Sequence, residues 1–182
     1  MTDREYRIEH LILDVDGVLT DGGLYYSSGG EVLKKFNVSD GLAIKRCLAV
    51  GVQVSLLSNS LDETLIANRC RTLGIDNYYV GLESKTRVFA RWVEEKRCRP
   101  ETTAYIGDEV NDCLMFEQVG ISACPADAAP IVRETADHVL EAAGGRGVIR
   151  EFVNRFVMDD HAWVERQRSL EHSATKQGQN QP

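Results

Sequence analysis

The chain alternates short apolar runs with amphipathic stretches. Ile8 to Val15 is mostly apolar and ends in acidic residues, the pattern of a buried parallel strand with polar groups at its C-terminal end. Gly22 to Phe36 holds two short runs around Ser27-Ser28-Gly29-Gly30 and predicts a β-hairpin. Leu42, Ile44, Cys47 and Leu48 lie at helical spacing before Gly51, and Val52 to Leu57 predicts a second core strand. Leu61, Leu65, Ile66, Cys70 and Leu73 mark one face of a helix stopped by Gly74, and Asn77 to Val80 reads as a short strand. Ser84 is placed to cap a helix carrying Val88, Phe89, Trp92 and Val93, which ends before Pro100. Further strands are expected at 103–106, 121–124 and 138–140, with helices near 111–119, 128–135 and 147–157.

Strands separated by helices of this length form βαβ units. The predicted fold is therefore α/β, a Rossmann-like open parallel sheet with helices on both faces and a small β-hairpin flap. One domain is expected over residues 1–157. Residues 158–182 read as a polar C-terminal tail, partly disordered at its end, where Trp163, Val164 and Leu170 suit a short capping or interaction helix.

Composition narrows the functional classes. The 182 residues are 43% hydrophobic and 27% charged, enough apolar material for a real core. A formal net charge of −7 offers no long-range attraction to nucleic acid or an anionic membrane, so a small anionic substrate needs a locally positive pocket. Five cysteines without a Cys-x-x-Cys pair suit reduced thiols in a cytoplasm. The polar start and the lack of any apolar run near the roughly 18 residues of a spanning helix predict a soluble protein without an export signal. Neither a Gly-x-Gly-x-x-Gly after a strand nor a Walker-type Gly-Lys-Ser/Thr loop occurs, which weakens dinucleotide and nucleoside-triphosphate readings.

Chemistry concentrates where strands end. Asp14 and Asp16 follow the first strand, at the carboxyl edge where open α/β sheets place their sites. Two anions so close repel one another, and a divalent cation such as Mg²⁺ relieves the conflict with hard oxygen ligands. Alone, an Asp-x-Asp pair is better explained by a turn or a helix cap before Gly17. The arrangement recurs in Gly107-Asp108-Glu109-Val110-Asn111-Asp112, where Asp108 could supply a third metal oxygen. Ser58, with the backbone amides after it, is placed to donate to a phosphate oxygen, and Lys85 to neutralise the same phosphate. Taken singly, Ser58 also suits a helix cap, Lys85 a solvated surface charge and Asp112 a first-turn helix acid.

In this order, and each at a strand-to-helix junction, the four segments resemble the motifs of the haloacid dehalogenase superfamily of phosphohydrolases over about residues 8–157. They are Asp14-Val15-Asp16-Gly17-Val18, Leu57-Ser58-Asn59, Lys85, and the run from Gly107 to Asp112. The resemblance implies that Asp14 is a nucleophile forming an aspartyl phosphate and that Asp16 exchanges the proton. It assigns Ser58, Asn59 and Lys85 to phosphate binding. It also implies Mg²⁺ as cofactor, held by Asp14, the Asp16 backbone carbonyl and Asp108, with Asn111 and Asp112 supporting.

A narrower resemblance is to the 3-deoxy-D-manno-octulosonate 8-phosphate phosphatase family and its relatives acting on nonulosonate 9-phosphates. It rests on the hairpin, Phe36 to Leu42, Pro125-Ala126-Asp127-Ala128 and Gly144 to Glu151. The short spacings between Asp14, Ser58 and Lys85 leave no room for an inserted cap domain. In that family a homotetramer substitutes for the cap, and the reaction serves lipopolysaccharide biosynthesis. The implied substrate is a phosphorylated acidic keto-sugar. This chain carries Ser58-Asn59-Ser60 where octulosonate-specific members usually show Thr-Gly-Arg, and Ser39-Asp40-Gly41 in place of Arg-Asp-Gly, so the choice of ester stays open. The alternative reading is a catalytically weak domain of the same fold that serves in oligomerisation or regulation.

Overall fold

The structure of the protein, a computed structural model, describes residues 6–30, 32–61 and 63–178. Strands β1 (His10–Leu13), β4 (Gln53–Ser58), β5 (Asn77–Val80), β6 (Thr103–Ile106), β7 (Ile121–Cys124) and β8 (His138–Val139) form one sheet. Their order is β5-β4-β1-β6-β7-β8 and every neighbouring pair is parallel. Strands β2 (Tyr25–Tyr26) and β3 (Val32–Leu33) pair antiparallel as the hairpin, with Tyr25 opposite Leu33 and Tyr26 opposite Val32. An isolated bridge between Thr20 and Phe36 closes its base.

Period-two alternation distributes the strand side chains between two cores. Leu11, Leu13, Val54, Leu56, Ala104 and Ile106 enter one apolar cluster; Ile12, Leu57, Tyr105 and Cys124 enter the other. Helices α1 (Val38–Ala49), α2 (Glu63–Leu73) and α6 (Val148–Phe156) cover the first face through Ile44, Ile66, Cys70, Ile149 and Phe152. Helices α3 (Lys85–Glu94), α4 (Cys113–Phe116) and α5 (Pro130–Thr135) cover the second through Val88, Phe89, Trp92, Met115, Phe116 and Val132. Burying side chains of this size stabilises by about 1.5–3 kcal/mol each, so both faces are firmly held to the sheet.

Three elements differ from the sequence expectation. The first strand pairs only over His10–Leu13, because after Asp14 the chain winds through Val15–Leu19 with Gly17 at φ +84°. The helix expected near 111–119 is a 3₁₀ turn at Val110–Asp112 running into the four-residue α4, since the Asp112 carboxylate is turned back onto the preceding loop. The segment read as a tail forms helix α7 (Asp160–Gly178). Its first turn is docked: Asp160 accepts from Arg46 at 2.5 Å and Arg150 at 2.6 Å, and the Arg46 guanidinium lies over the Trp163 ring. The last four residues of that tail lie outside the described residues. Among the described residues, no helix is long and apolar enough to cross a membrane.

Candidate active site

The sheet order reverses beside β1: the chain moves from β1 outward to β4 and β5, then returns to β6 on the other side. Such a reversal opens a crevice at the carboxyl ends of the two central strands. Asp14 leaves β1 and Asp108 follows β6, in strands whose ends pair Leu13 with Ile106. The Asp14 amide donates to the Ile106 carbonyl at 3.0 Å, which fixes the approach of the two loops. A cleft there is lined by Asp14, Asp16, Ser58, Lys85, Asp108 and Asn111 among others. All the chemically distinctive side chains singled out from the sequence thus lie in or beside one crevice.

Lys85 organises its floor. It opens α3 behind the Ser84 cap, whose hydroxyl accepts from the Arg87 amide. Its side chain is buried, and Nζ donates to Asp14 Oδ1 at 2.9 Å and to Asp112 Oδ1 at 2.6 Å. Burial alone would lower the ammonium pKa, but the Asp14 and Asp112 carboxylates outweigh it and raise the value. Lys85 is therefore a fixed cation, held between the carboxylates of Asp14 and Asp112.

Asp112 is saturated by hydrogen bonds. Oδ1 accepts from Lys85 and, at 2.6 Å, from the Tyr105 hydroxyl; Oδ2 accepts from the Asp108 amide at 2.9 Å and the Glu109 amide at 3.1 Å. A carboxylate so engaged has no lone pair to spare for a metal and serves instead to hold Lys85 and the Asp108 loop. Tyr105 is a site residue that sequence reading missed, because an aromatic in a buried strand looks like core. The signal for it was its polar tip one residue from the strand end.

Asp108 is different. Its Oδ1 is buried and has no hydrogen-bond partner. Burial, then the nearby Asp14 and Asp112 carboxylates, push its pKa up; burial also raises Asp14, against the lowering effect of Lys85. Carboxylate oxygens of Asp14, Asp108 and Asp112 lie within 4.8 Å of one another. Like charges gathered out of water with one oxygen unpartnered fit a hard divalent cation such as Mg²⁺. Gly17 makes the approach possible, since a Cβ there would stand 2.0 Å from Asp108 Oδ2.

The remaining predicted residues divide by role. Ser58 ends β4 buried at the cleft, and its Oγ accepts from the Ser60 amide at 3.1 Å, leaving the hydroxyl proton to donate elsewhere. The Asn59 side-chain donors are spent on the carbonyls of Gly81 at 2.8 Å and Glu83 at 3.0 Å, and its Oδ1 accepts from Asn111 at 3.3 Å. Asn59 and Asn111 thus latch neighbouring loops together, and any contact of Asn59 with a phosphate falls to its backbone amide. Asp16 is half-exposed, and its Oδ2 accepts from Lys34 Nζ at 2.7 Å. Lys34 had no distinguishing mark in the sequence, where it is one of two adjacent lysines at the end of the predicted hairpin. The glycine run behind the site packs against it: a Cβ on Gly144 would lie 1.8 Å from the Gly17 carbonyl oxygen.

Comparison with known proteins supports the same assignment. The model for haloacid dehalogenase-like hydrolases matches residues 83–152. The 3-deoxy-D-manno-octulosonate 8-phosphate phosphatase of Escherichia coli K12 is 43% identical over 144 residues, 79% of this chain and 76% of the relative. The crystal structure of the phosphatase of that name from Yersinia pestis superposes with a TM-score of 0.81 at 35% identity, covering 87% of this chain and 85% of the other. The cobalt-bound deoxy-D-mannose-octulosonate 8-phosphate phosphatase from Haemophilus influenzae gives 0.77 at 39% identity, covering 85% and 90%. With the fold, the ordered motifs and this identity in agreement, the chain belongs to the haloacid dehalogenase-like hydrolases and, within them, to the 3-deoxy-D-manno-octulosonate 8-phosphate phosphatase family, enzymes that hydrolyse phosphoric monoesters.

Proposed function

We propose that the protein is a Mg²⁺-dependent phosphatase that cleaves a phosphorylated acidic keto-sugar through an aspartyl phosphate on Asp14. The observation that carries this reading is the pairing of Asp14 with buried Lys85 beside the unpartnered oxygen of Asp108. Asp14 would attack phosphorus while the ester P–O bond breaks, and Asp16 would give its proton to the departing sugar oxygen. Water would then attack the aspartyl phosphate, passing a proton to Asp16 as the P–O bond to Asp14 breaks. A carboxylate nucleophile splits one difficult displacement into two easier ones. Ser58, the Asn59 amide and Lys85 would hold the phosphoryl oxygens, with Lys85 offsetting their charge. Asp14, the Asp16 backbone carbonyl and Asp108 would hold the Mg²⁺, which when bound offsets anionic repulsion between nucleophile and phosphate.

The relatives named above point to the octulosonate 8-phosphate ester as substrate; a nonulosonate 9-phosphate is the other candidate, because Ser60 is neither the arginine usual in octulosonate-specific members nor the acidic residue more common in nonulosonate-type ones. The hairpin exposes Leu24, Tyr25, Tyr26 and Leu33, an apolar face that a homotetramer would cover. Five free thiols suit a cytoplasmic setting. The test is hydrolysis of both esters with Mg²⁺ and with EDTA. Turnover of at least one, abolished by chelation, is expected; failure on both, with Mg²⁺ supplied, would refute the reading. Asp108→Asn should raise the Mg²⁺ concentration for half-maximal activity by about tenfold, roughly 1.4 kcal/mol of metal affinity, and high Mg²⁺ should restore part of the rate.

A further inference from the structure

The hairpin sends one charged side chain inward. Lys34 directly follows β3, between exposed Leu33 and exposed Lys35, yet its side chain is only 3% exposed. An ammonium taken out of water is tolerated only where strong acceptors meet it. Lys34 Nζ donates to Asp16 Oδ2 at 2.7 Å and to Ser60 Oγ at 3.1 Å. One cation from the hairpin therefore joins the loop after β1 to the loop after β4. The two oxygens of Asp16 are not equivalent in this arrangement. Oδ2 holds the short, charge-assisted bond, whereas Oδ1 accepts a long contact of 3.5 Å from Thr20 Oγ1.

We propose that Lys34 is a positioning residue for the proton transfer: it holds Asp16 Oδ2 against the Ser58–Ser60 loop, so that Oδ1 is the oxygen that carries the proton. The inference rests on the reading of Asp16 as general acid and base. Its physical content is orientation. A half-exposed aspartate without the lysine rotates between rotamers, and a proton donor must stay within hydrogen-bond reach of the leaving oxygen to act. The hairpin would then be part of the chemistry as well as a cover.

The test compares kcat/KM for p-nitrophenyl phosphate, whose leaving group departs without a proton, with that for an alkyl ester, 3-deoxy-D-manno-octulosonate 8-phosphate or the nonulosonate 9-phosphate if that is the one turned over. This parameter covers steps only through leaving-group departure, so the later hydrolysis of the aspartyl phosphate does not blur it. Lys34→Met is expected to lower the alkyl value by tenfold or more and the aryl value by less than about threefold. In an Asp16→Asn background the same change should add no alkyl-selective loss, because coupled residues are not additive. Lys34→Gln, a polar side chain one atom short, should show the same selectivity and serves if the methionine variant does not fold. Equal losses on both substrates, or none, in a folded Lys34 variant would overturn the proposal while Asp16→Asn still shows the selective loss. If Asp16→Asn itself shows no selectivity, the general-acid reading fails and this inference falls with it.

Discussion

Two regions meet at the carboxyl edge of the sheet and are built in opposite ways. The floor of the site is a closed network in which Lys85 and Asp112 are buried and both oxygens of Asp112 carry two hydrogen bonds each. The hairpin above it has two strands of two residues, with Tyr26 71% and Leu33 66% exposed. The floor is positioned by strands that pack on both faces. The hairpin is positioned by the Thr20–Phe36 bridge, the Lys35–Asp21 ion pair and the inward contacts of Lys34. A two-stranded ribbon of that size is marginal by itself in water. The contrast teaches that the charges of the floor are fixed by the core they are built into, while the hairpin, which lies outside that core, is held by a few local contacts.

The largest effect should come from the floor. Asp14→Asn is expected to cut turnover by at least about three decades, roughly 4 kcal/mol of barrier, with an unchanged circular dichroism spectrum. Activity within tenfold of the parent protein would remove Asp14 from the nucleophile's role. Next, Asp112→Ala removes one of the two carboxylates that hold Lys85, together with the acceptor of the Tyr105 hydroxyl and of two backbone amides. Urea unfolding should report a loss of about 3–5 kcal/mol, the usual cost of breaking a buried ion pair. A loss under about 1 kcal/mol would mean that the Lys85–Asp112–Tyr105 network does not hold the floor in place.

The smallest effect on the folded chain should come from the hairpin. Leu33→Asp changes an exposed position, so the stability of the isolated chain should move by no more than about 0.5 kcal/mol. Light scattering should nonetheless shift from a mass near four times the 20.3 kDa of one chain toward a single chain. A parent protein that already scatters as 20.3 kDa would dispose of the tetramer, and with it the account of why the hairpin is apolar.

Much of this molecule was legible along the chain because its signals are local. Short apolar runs mark the strands that carry Leu11, Leu56 and Ile106, and Ser84 announces the helix that begins at Lys85. Asp14, Ser58, Lys85 and Asp108 stand at the ends of such elements, so their order alone places them on one edge. Three-dimensional contact decided the rest. Sequence spacing does not reveal that Asp112 is spent on four hydrogen bonds, or that the Asn59 side chain faces the carbonyls of Gly81 and Glu83. Nor does it show that α7 docks by its first turn through Asp160, or that Lys34, 18 residues after Asp16, reaches back to it. Periodicity reports which side of its own element a residue occupies. Which partner it meets across the crevice depends on strand order and on a glycine at position 17, and those act only once the chain has folded.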